Sequence, residues 1–584
     1  MNPIQLSIFA NRLAGICDEM GALLRASALS PNIKDRLDFS CAIFDAEGGL
    51  CAQAAHIPVH LGSMAYAMAD LVGGRDWQAG DLLVVNDPYL GGTHLPDVTV
   101  VAPVFVADEL AAFTVTRAHH ANIGASSPGS MPVSRRLEEE GLVIAPQWLK
   151  RAGQWQVALC RRLAGVAAPA ADKAPAVGEV LAADEAPAVG EVPAADEAPA
   201  AGEAPAAGKA PAAGEALAAN KAPAAGKEHD ERDDAESAMP FDVPRFADFA
   251  AQASTCQAGA GRLAELIETL GLAALRQALR ALNEYGEARM RQRLTDLADG
   301  VYRFSDVMDD DGQGQRDITI AVTLTVTGDQ AHVDFSGSAG QVQGNINCPL
   351  SVAAAAVYYC FRCLLPDDAP SCAGLFRPIT LAAPLGSLVN ARRPGAVAAG
   401  NVETSSRIVD VVLGALAEAL PEAIPAASQG TMNNLAMGAA GERPWDYYET
   451  MAGGTGAHAG GAGLSAVHSH MTNTLNTPIE SLEEHYPLRV RRYALRRGSG
   501  GAGAHQGGDG LVRELEFLAP ASVTLLTERR LHQPWGLAGG RPGAAGENSL
   551  NGVPLGPKVS FQVAPGDRLC IASPGGGGYG QPGS

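Results

Sequence analysis

Two histidines and one aspartate have the types and the spacing that suit a divalent metal. His94 and Asp97 lie three residues apart in the glycine- and proline-bent segment NDPYLGGTHLPDV, and His119 follows the next strand-like run. A strand that returns beside the previous one would bring both loops to one edge of a sheet. Imidazole nitrogens and a carboxylate oxygen would then suit zinc, manganese or iron. The alternative is that these histidines only cap turns.

A second histidine pair, His56 and His60, lies in HIPVHLGSM, after a strand-like run that begins near Asp38. Pro58 stands between the two histidines and excludes an interior helical turn, so they are not a helical zinc-binding pair. We expect at least one of them to be structural. Both are candidate catalytic residues, which could transfer a proton or orient the substrate, because imidazole titrates near neutrality.

A third cluster, HSHMTNTLNTPIESLE, begins at His468 and is dense in hydroxyl and amide groups. Such groups are buried only when hydrogen-bonded, so the run either lines a polar site or ties loops together. His468 and His470 are therefore candidate catalytic residues. The upstream segment 453–463 is rich in glycine, and its N–H groups could face an anion, or it could be a flexible loop. The Cys360/Cys363 pair lies in an apolar helix and indicates core packing.

The elements that must position these residues form a mixed pattern. Amphipathic periodicity predicts a helix over 4–29, and glycine and proline breaks bound strand-like runs between 37 and 106. Further helices are predicted at 249–297, 349–365 and 405–420, with strands over 318–335 and glycine-rich loops and short strands from 453 onward. Helices and strands do not alternate strictly, which favours an α+β fold of several layers.

An alanine- and proline-rich segment interrupts this pattern. The motif AP-A-[AV]-G-[EK] recurs between 174 and 226, with charges and without aromatic residues. Such a composition buries too little apolar surface to offset chain entropy, so we expect a disordered surface insertion. The chain then divides into 1–166, the insertion 167–238, and 239–584.

Net charge excludes some classes of protein. The 584 residues carry a formal charge of −21, of which the insertion supplies −10 through 15 acidic and five basic side chains. This balance argues against binding to nucleic-acid phosphates or anionic membranes. No apolar run is long enough to span a bilayer, the N-terminal segment lacks a continuous apolar core, and ten scattered cysteines do not suggest a disulfide framework. We therefore expect a cytoplasmic protein.

The motifs resemble those of the hydantoinase B/oxoprolinase family, which includes the B-type subunits of N-methylhydantoinase and 5-oxoprolinase and is related to a subunit of acetone carboxylase. The resemblance extends over nearly the whole chain outside the insertion. The matching stretches are DFSCAIFDAEGGLCAQAAHIPVHLGSM, GDLLVVNDPYLGGTHLPDVTVVAPVF, RAHHANIGASSPGSMP, NINCPLSVAAAAVYYCFRCL, GNVETSSRIVDVVLGALA, HSHMTNTLNTPIESLEEHYPLRV and PGGGGYG.

The resemblance implies ATP-dependent opening of a cyclic amide such as hydantoin or 5-oxoproline. An A-type ATPase subunit would phosphorylate the amide oxygen, and this B-type chain would complete hydrolysis. The absence of a GxxxxGK[ST] match outside the insertion agrees with ATP being bound by the partner. The resemblance also implies metal ligands at His94, Asp97 and His119. Relatives commonly read HHADIGG where this chain reads HHANIGA, which places Asn122 at a fourth candidate ligand position.

Two other readings stay open. The chain could be a subunit of an ATP-dependent carboxylase that fixes bicarbonate onto a ketone, since both reactions use phosphorylated intermediates. Its compact length without the insertion favours the hydrolase over this carboxylase. The chain could also be a noncatalytic scaffold in which Asn122 marks a decayed site, although the several histidines argue against that.

Overall fold

The computed structural model describes residues 2–54, 57–165, 244–440 and 444–583. His56 and the predicted insertion lie outside these ranges, so their predicted roles and the three-part division of the chain stay predictions. Among the helices within these ranges, none combines the length and the apolar composition that crossing a bilayer requires.

Each predicted helix is present among the described residues, but the structure differs from the prediction in two places. The stretch 37–106, expected to be strand-like, contains the helix Pro58–Val72, which Pro58 begins at a position where its missing N–H costs no hydrogen bond. The segment expected to be a single helix over 249–297 is two helices, because Gly271 breaks it with a positive φ of 84°. The helices are α1 (Pro3–Ser27), α2 (Pro31–Lys34), α3 (Pro58–Val72), α4 (Val157–Leu163), α5 (Pro244–Leu270), α6 (Leu272–Thr295), α7 (Leu350–Arg362), α8 (Ser405–Ala419) and α9 (Ile479–His485).

The strands range from two to 12 residues and are mostly antiparallel. They are β1 (Phe39–Asp45), β2 (Leu50–Gln53), β3 (Leu82–Val85), β4 (Asp97–Val106), β5 (Glu109–His119), β6 (Gln147–Arg151), β7 (Gln154–Trp155), β8 (Gly300–Asp310), β9 (Arg316–Thr327), β10 (Gln330–Asp334), β11 (Ile379–Ala382), β12 (Asn434–Ala439), β13 (Trp445–Glu449), β14 (Leu488–Arg496), β15 (Gly510–Phe517), β16 (Ala521–Leu526), β17 (Glu547–Leu550), β18 (Val553–Leu555), β19 (Lys558–Val563) and β20 (Arg568–Ala572).

These strands form four sheets, and helices pack against them. The sheet orders are β2-β1-β5-β4-β3-β6-β7, β11-β10-β9-β8, β13-β12-β16-β19 and β14-β15-β20-β17-β18. Only the pair β10–β11 is parallel among the strand pairs of the described residues. The α+β fold expected from the sequence is therefore confirmed.

The seven-stranded sheet is buried on both faces, and alternate side chains of β1 show this. Phe39, Cys41 and Ile43 belong to the core that includes α1, whereas Phe44 packs in a second core with Met68 of α3. Successive strand residues point to opposite faces, so a strand covered on both sides must be apolar throughout. This burial fixes the register of the sheet that carries the candidate site.

Glycine-rich segments of the C-terminal part pack backbone against backbone. Gly576 N–H donates to Gly508 O at 2.9 Å, and Gly576 O accepts from Gly501 N–H at 2.8 Å. The segment 453–463 belongs to the same assembly, where Gly454 and Ala457 N–H groups donate to other backbone carbonyls. Because these N–H groups already donate to backbone carbonyls, they are not free to bind an anion, and the segment is not a flexible loop.

Substitution at Gly576 tests this packing. A Cβ there would lie 1.9 Å from Thr455 O. We expect Gly576→Ala to lower the free energy of unfolding by about 3 kcal/mol or more, because rigid backbone has to move. Gly261 lies in α5 with no atom within 4 Å of its added Cβ. Gly261→Ala should raise that free energy by about 0.5–1 kcal/mol through helix propensity. Urea unfolding measures the stability of both variants. Equal unfolding midpoints for the two would contradict close backbone packing at Gly576.

Candidate metal centre

The loop between β3 and β4 is held in a fixed bend that presents His94. Asn86 Nδ2 donates to Leu95 O at 2.7 Å and to Leu142 O at 2.9 Å, so one buried amide ties both flanks of the loop. Gly91 has a positive φ of 102°, and a Cβ on Gly92 would lie 2.4 Å from Asn86 O. The two glycines are thus required by the bend that carries His94 inward.

The hairpin of β4 and β5 brings Asp97 to His119. The two residues are direct cross-strand partners in the antiparallel register. Cross-strand partners place their side chains on the same face of the sheet, within contact distance. His94 joins them from the loop, and one ligand atom of each of the three residues lies within 4.8 Å of the others. All three side chains are buried.

Several polar atoms of this cluster are buried without a hydrogen-bond partner. They are His94 Nε2, His119 Nε2, Asp97 Oδ1 and the Oδ1 atom of nearby Asn401. His94 Nε2 lies 3.3 Å from Asp97 Oδ2, but the contact lacks the geometry of a hydrogen bond. Unsatisfied buried polar atoms cost free energy and are rare in native proteins. Two imidazole nitrogens and a carboxylate oxygen that converge in this way form a donor set that fits zinc, manganese or iron.

Contacts behind the two histidine rings fix their orientation. His94 Nδ1 lies 3.2 Å from Ala398 O, which accepts its proton and leaves the Nε2 lone pair directed at the cluster. His119 Nδ1 lies 3.1 Å from the Asn32 amide, and the ring stacks on Tyr448 with centroids 4.7 Å apart. Burial and the neighbouring His94 hold the pKa of His119 well below its usual range, so its ring is neutral. A neutral imidazole is the form that binds metals.

Asp97 is the charged centre of the cluster. Thr93 Oγ1 donates to Asp97 Oδ2 at 2.5 Å, and Asn401 Nδ2 donates to the same oxygen at 3.3 Å. Burial alone would raise the pKa of Asp97, but His60 and His94 hold it well below its usual range. Burial alone would lower the pKa of His94, yet Asp97 raises it. The carboxylate therefore stays ionised and attracts a positive charge to this position.

His60 lies at the cluster, as its candidate catalytic role requires. It stands in the first turn of α3, and its Nε2 lies 3.2 Å from Asp97 Oδ2 and 3.9 Å from Asp38 Oδ1. Its Nδ1 lies 3.3 Å from Ser40 Oγ on β1. The helix reaches this position because Gly62 packs against α7, where a Cβ would lie 2.6 Å from Ala355 Cα.

The other candidate residues lie elsewhere. His470 Nδ1 lies 3.3 Å from Tyr359 Oη, and His468 is half-buried, with its pKa lowered to about 4 by burial and by Arg36. Neither histidine lines the cavity at the cluster; the chain that follows them contributes Met471 and Thr472 instead. Their catalytic role stays a prediction, which the geometry does not favour because the chain presents its next residues to this cavity.

Asn122 is also displaced from the cluster. Its Nδ2 donates to Asp446 Oδ2 at 2.8 Å, and its Oδ1 accepts from Gly124 N–H at 2.7 Å. Both ends of the amide are thus used in fixing the loop after β5, and the residue is not among those that line the cavity at the cluster. These contacts do not favour Asn122 as a fourth ligand, and its role as a ligand stays a prediction.

A small cavity opens beside the cluster. Its volume is about 20 Å³, enough for one water molecule. Besides the cluster it is lined by Asp38, Asn401, Tyr448, Thr450 and Met471. Sequence reasoning did not select Asn401 or Tyr448, because no local spacing connects these distant segments to His94. The sequence pattern places Asp38 only at the start of a strand-like run, and in the structure it lies just before β1.

The comparisons with known proteins agree with this architecture. The family model described as hydantoinase B/oxoprolinase matches residues 2–169 and 239–582. The chain belongs to the hydantoinase B/oxoprolinase family. The interval between the two matched ranges contains most of the alanine- and proline-rich segment.

Relatives and solved structures extend this family assignment. The protein named 5-oxoprolinase 1 from Arabidopsis thaliana is 36% identical over 605 residues, which cover 99% of this chain and 42% of that protein. This chain thus spans about two fifths of the length of that relative. The ATP-dependent caprolactamase from Pseudomonas jessenii has a TM-score of 0.81 and 25% identity, covering 100% of this chain and 91% of that one. A nucleotide-free acetone carboxylase has a TM-score of 0.78 at 16% identity, covering 100% and 76%.

The position of Asn122 gives a test of the ligand set. Asn122→Asp should leave the metal content of the purified chain unchanged, because the side chain contacts Asp446 and Gly124 and does not line the cavity at the cluster. It should lower the free energy of unfolding by about 1 kcal/mol, since a donor to Asp446 is replaced by a second carboxylate. Elemental analysis and urea unfolding measure the two effects. A gain of metal in the variant would restore Asn122 as a ligand position.

Proposed function

We propose that this chain is the B-type subunit of an ATP-dependent enzyme that opens a cyclic amide, such as a hydantoin or a 5-oxoproline-like ring. The observation that carries the proposal is the buried convergence of His94, Asp97 and His119 with unpaired ligand atoms. Family relatives named 5-oxoprolinase and a structural neighbour named ATP-dependent caprolactamase support a cyclic amide as the substrate.

The proposal includes a divalent metal, zinc, manganese or iron, held by His94 Nε2, His119 Nε2 and Asp97. Such an ion supplies Lewis acidity and lowers the pKa of water in its coordination sphere. Three protein ligands leave a position for water or substrate, as in catalytic rather than structural metal sites. Asn401 Oδ1 is an unpaired acceptor beside this position and can orient a water molecule there.

The chain's own residues prepare the reacting groups. His60 Nε2 lies between the Asp97 and Asp38 carboxylates, so it can hold a proton at that nitrogen and exchange it with water in the cavity. The hydroxyl group of Thr450 lines the same space and can bind the single water molecule for which the cavity has room. The small volume of the cavity excludes bulk water, which strengthens electrostatic interactions there.

ATP use is assigned to a partner. Phosphorylation of an amide oxygen makes the carbon electrophilic and provides a good leaving group, after which water completes the ring opening. This chain has no GxxxxGK[ST] match, and the Arabidopsis relative is more than twice as long as the part that matches this chain. We propose that an A-type ATPase subunit supplies the phosphorylation to this chain as a separate protein.

The carboxylase reading rests on fold alone. Acetone carboxylase shares this fold at 16% identity, whereas the caprolactamase reaches 25% with a slightly higher TM-score. Similarity of fold does not determine the reaction, because function depends on the groups within the site. The hydrolase is therefore the better supported reading.

The metal is tested first, on the chain co-expressed with an A-type subunit. We expect about one divalent ion per chain in the purified protein and almost none in His94→Ala, because a site with three ligands loses one of the atoms that bind the ion. His120→Ala is the matched control: this neighbouring buried histidine faces Gln252 at 2.9 Å instead of the cluster. If elemental analysis finds no metal in the wild-type protein, the reading of this chain as a noncatalytic scaffold is favoured.

The reaction is tested with the same complex. We expect ATP hydrolysis coupled to opening of 5-oxoproline or a hydantoin in the absence of bicarbonate, and loss of ring opening in His94→Ala. Product formation is followed by chromatography alongside phosphate release. If the complex instead converts a ketone, and only when bicarbonate is present, the proposal of a hydrolase is wrong and the chain is a carboxylase subunit.

A further inference from the structure

The Ala398 carbonyl that orients His94 is itself held by surrounding groups. Ala398 O lies 3.2 Å from His94 Nδ1, and this contact joins a loop ligand to the segment before the helical turn Gly400–Thr404. The group that accepts the N–H of the other ring nitrogen fixes the orientation of a ligand histidine, so the ring is positioned only as firmly as that group. The rigidity of the segment 396–400 therefore decides how precisely His94 Nε2 is directed.

We propose that Glu140 is a positioning residue for the metal centre, acting through the segment 396–400. Glu140 is 0% exposed, and its hydrogen-bond donors are Ser134, Val397 and Ala398. Its Oε1 accepts from Val397 N–H and Ala398 N–H, each at 2.9 Å. The same oxygen accepts from Ser134 Oγ at 2.7 Å. The proposal rests on the metal centre of the proposed function and deepens it.

The chemistry of this pocket requires an acceptor. Three donors, two backbone N–H groups and one hydroxyl, converge on one carboxylate oxygen. A carboxylate only accepts hydrogen bonds, whereas the amide of glutamine would turn either an oxygen or two N–H donors toward them. Bonds from uncharged donors to an ionised acceptor are also stronger than neutral ones. Glutamine has nearly the same size and shape, so it isolates this property.

The segment 396–400, which Glu140 binds, affects the position of Asp97 as well as that of His94. After Ala398, the N–H groups of Ala399 and Gly400 both donate to Asn345 O at 3.0 Å. The next residue, Asn401, donates through Nδ2 to Asp97 Oδ2 at 3.3 Å. Glu140 and Asn345 thus fix the two ends of a short stretch that contacts two of the three ligands. Loosening one end should disturb both contacts.

Glu140 also couples to the centre electrostatically. Burial raises the pKa of Glu140 to about 7, while the hydrogen bonds from Ala398, Ser134 and Val397, and the nearby His94, lower it. Experiments on its role are therefore best done at pH 8, where the carboxylate is ionised.

The experiment measures metal affinity directly, without turnover. At pH 8, Zn²⁺ binding to the full chain is determined by competition with a chromophoric chelator. We expect Glu140→Gln to weaken Zn²⁺ binding by about 10–100-fold, the usual effect of removing a group that orients a ligand. Ser134→Ala is the matched control, because it removes one donor and keeps the carboxylate with both backbone bonds. We expect it to bind Zn²⁺ within about threefold of wild type.

A second measurement separates positioning from general destabilisation. Urea unfolding of the metal-free variants reports stability, and we expect the Glu140→Gln affinity loss at a temperature where the variant is folded. Glu140→Asp keeps the charge but shortens its reach, so it should bind Zn²⁺ with intermediate affinity and serves if Glu140→Gln does not fold. Wild-type Zn²⁺ affinity in folded Glu140→Gln, or in Glu140→Asp when only that variant folds, would overturn the positioning role and leave the metal centre intact. Failure of wild type itself to bind Zn²⁺ would overturn both.

Discussion

The antiparallel register of β4 and β5 is the constraint on which the candidate centre depends. It pairs Asp97 directly with His119, and a slip of one strand by one residue would put the two side chains on opposite faces of the sheet. The register is in turn fixed by the two-residue turn between the strands and by the close packing of side chains on both faces. Core packing around a plain hairpin therefore sets the distance between two candidate metal ligands.

The centre concentrates polar groups in a place where burial is costly. Asp97 is stabilised as an anion by Thr93, Asn401 and two histidines, and Asn32 and Ala398 hold the rings from behind. The atoms left without partners belong to residues that line one small cavity. Such an arrangement would favour a cation, because the cost of burying these groups is met during folding, before an ion arrives.

The C-terminal part shows how an unusual composition becomes structure. Glycine runs would ordinarily indicate loops, since glycine loses the most backbone entropy on folding. In this chain the absent side chains let distant segments approach until their backbones hydrogen-bond to one another. The same principle operates beside the centre, where Gly62 lets α3 pack closely on α7 and Gly92 lets the His94 loop fold on itself.

The sequence by itself determined the α+β class, the family, and most helices and strands, because periodicity and breaker residues are local signals. It also selected His94, Asp97, His119 and His60, whose spacing around a returning strand is readable from one segment. The tertiary structure alone decided that Asn122 and His470 lie apart from the centre, and that Asn401, Tyr448 and Glu140 lie near it. Contacts between segments hundreds of residues apart leave no periodic trace, because they arise only when separate elements pack together.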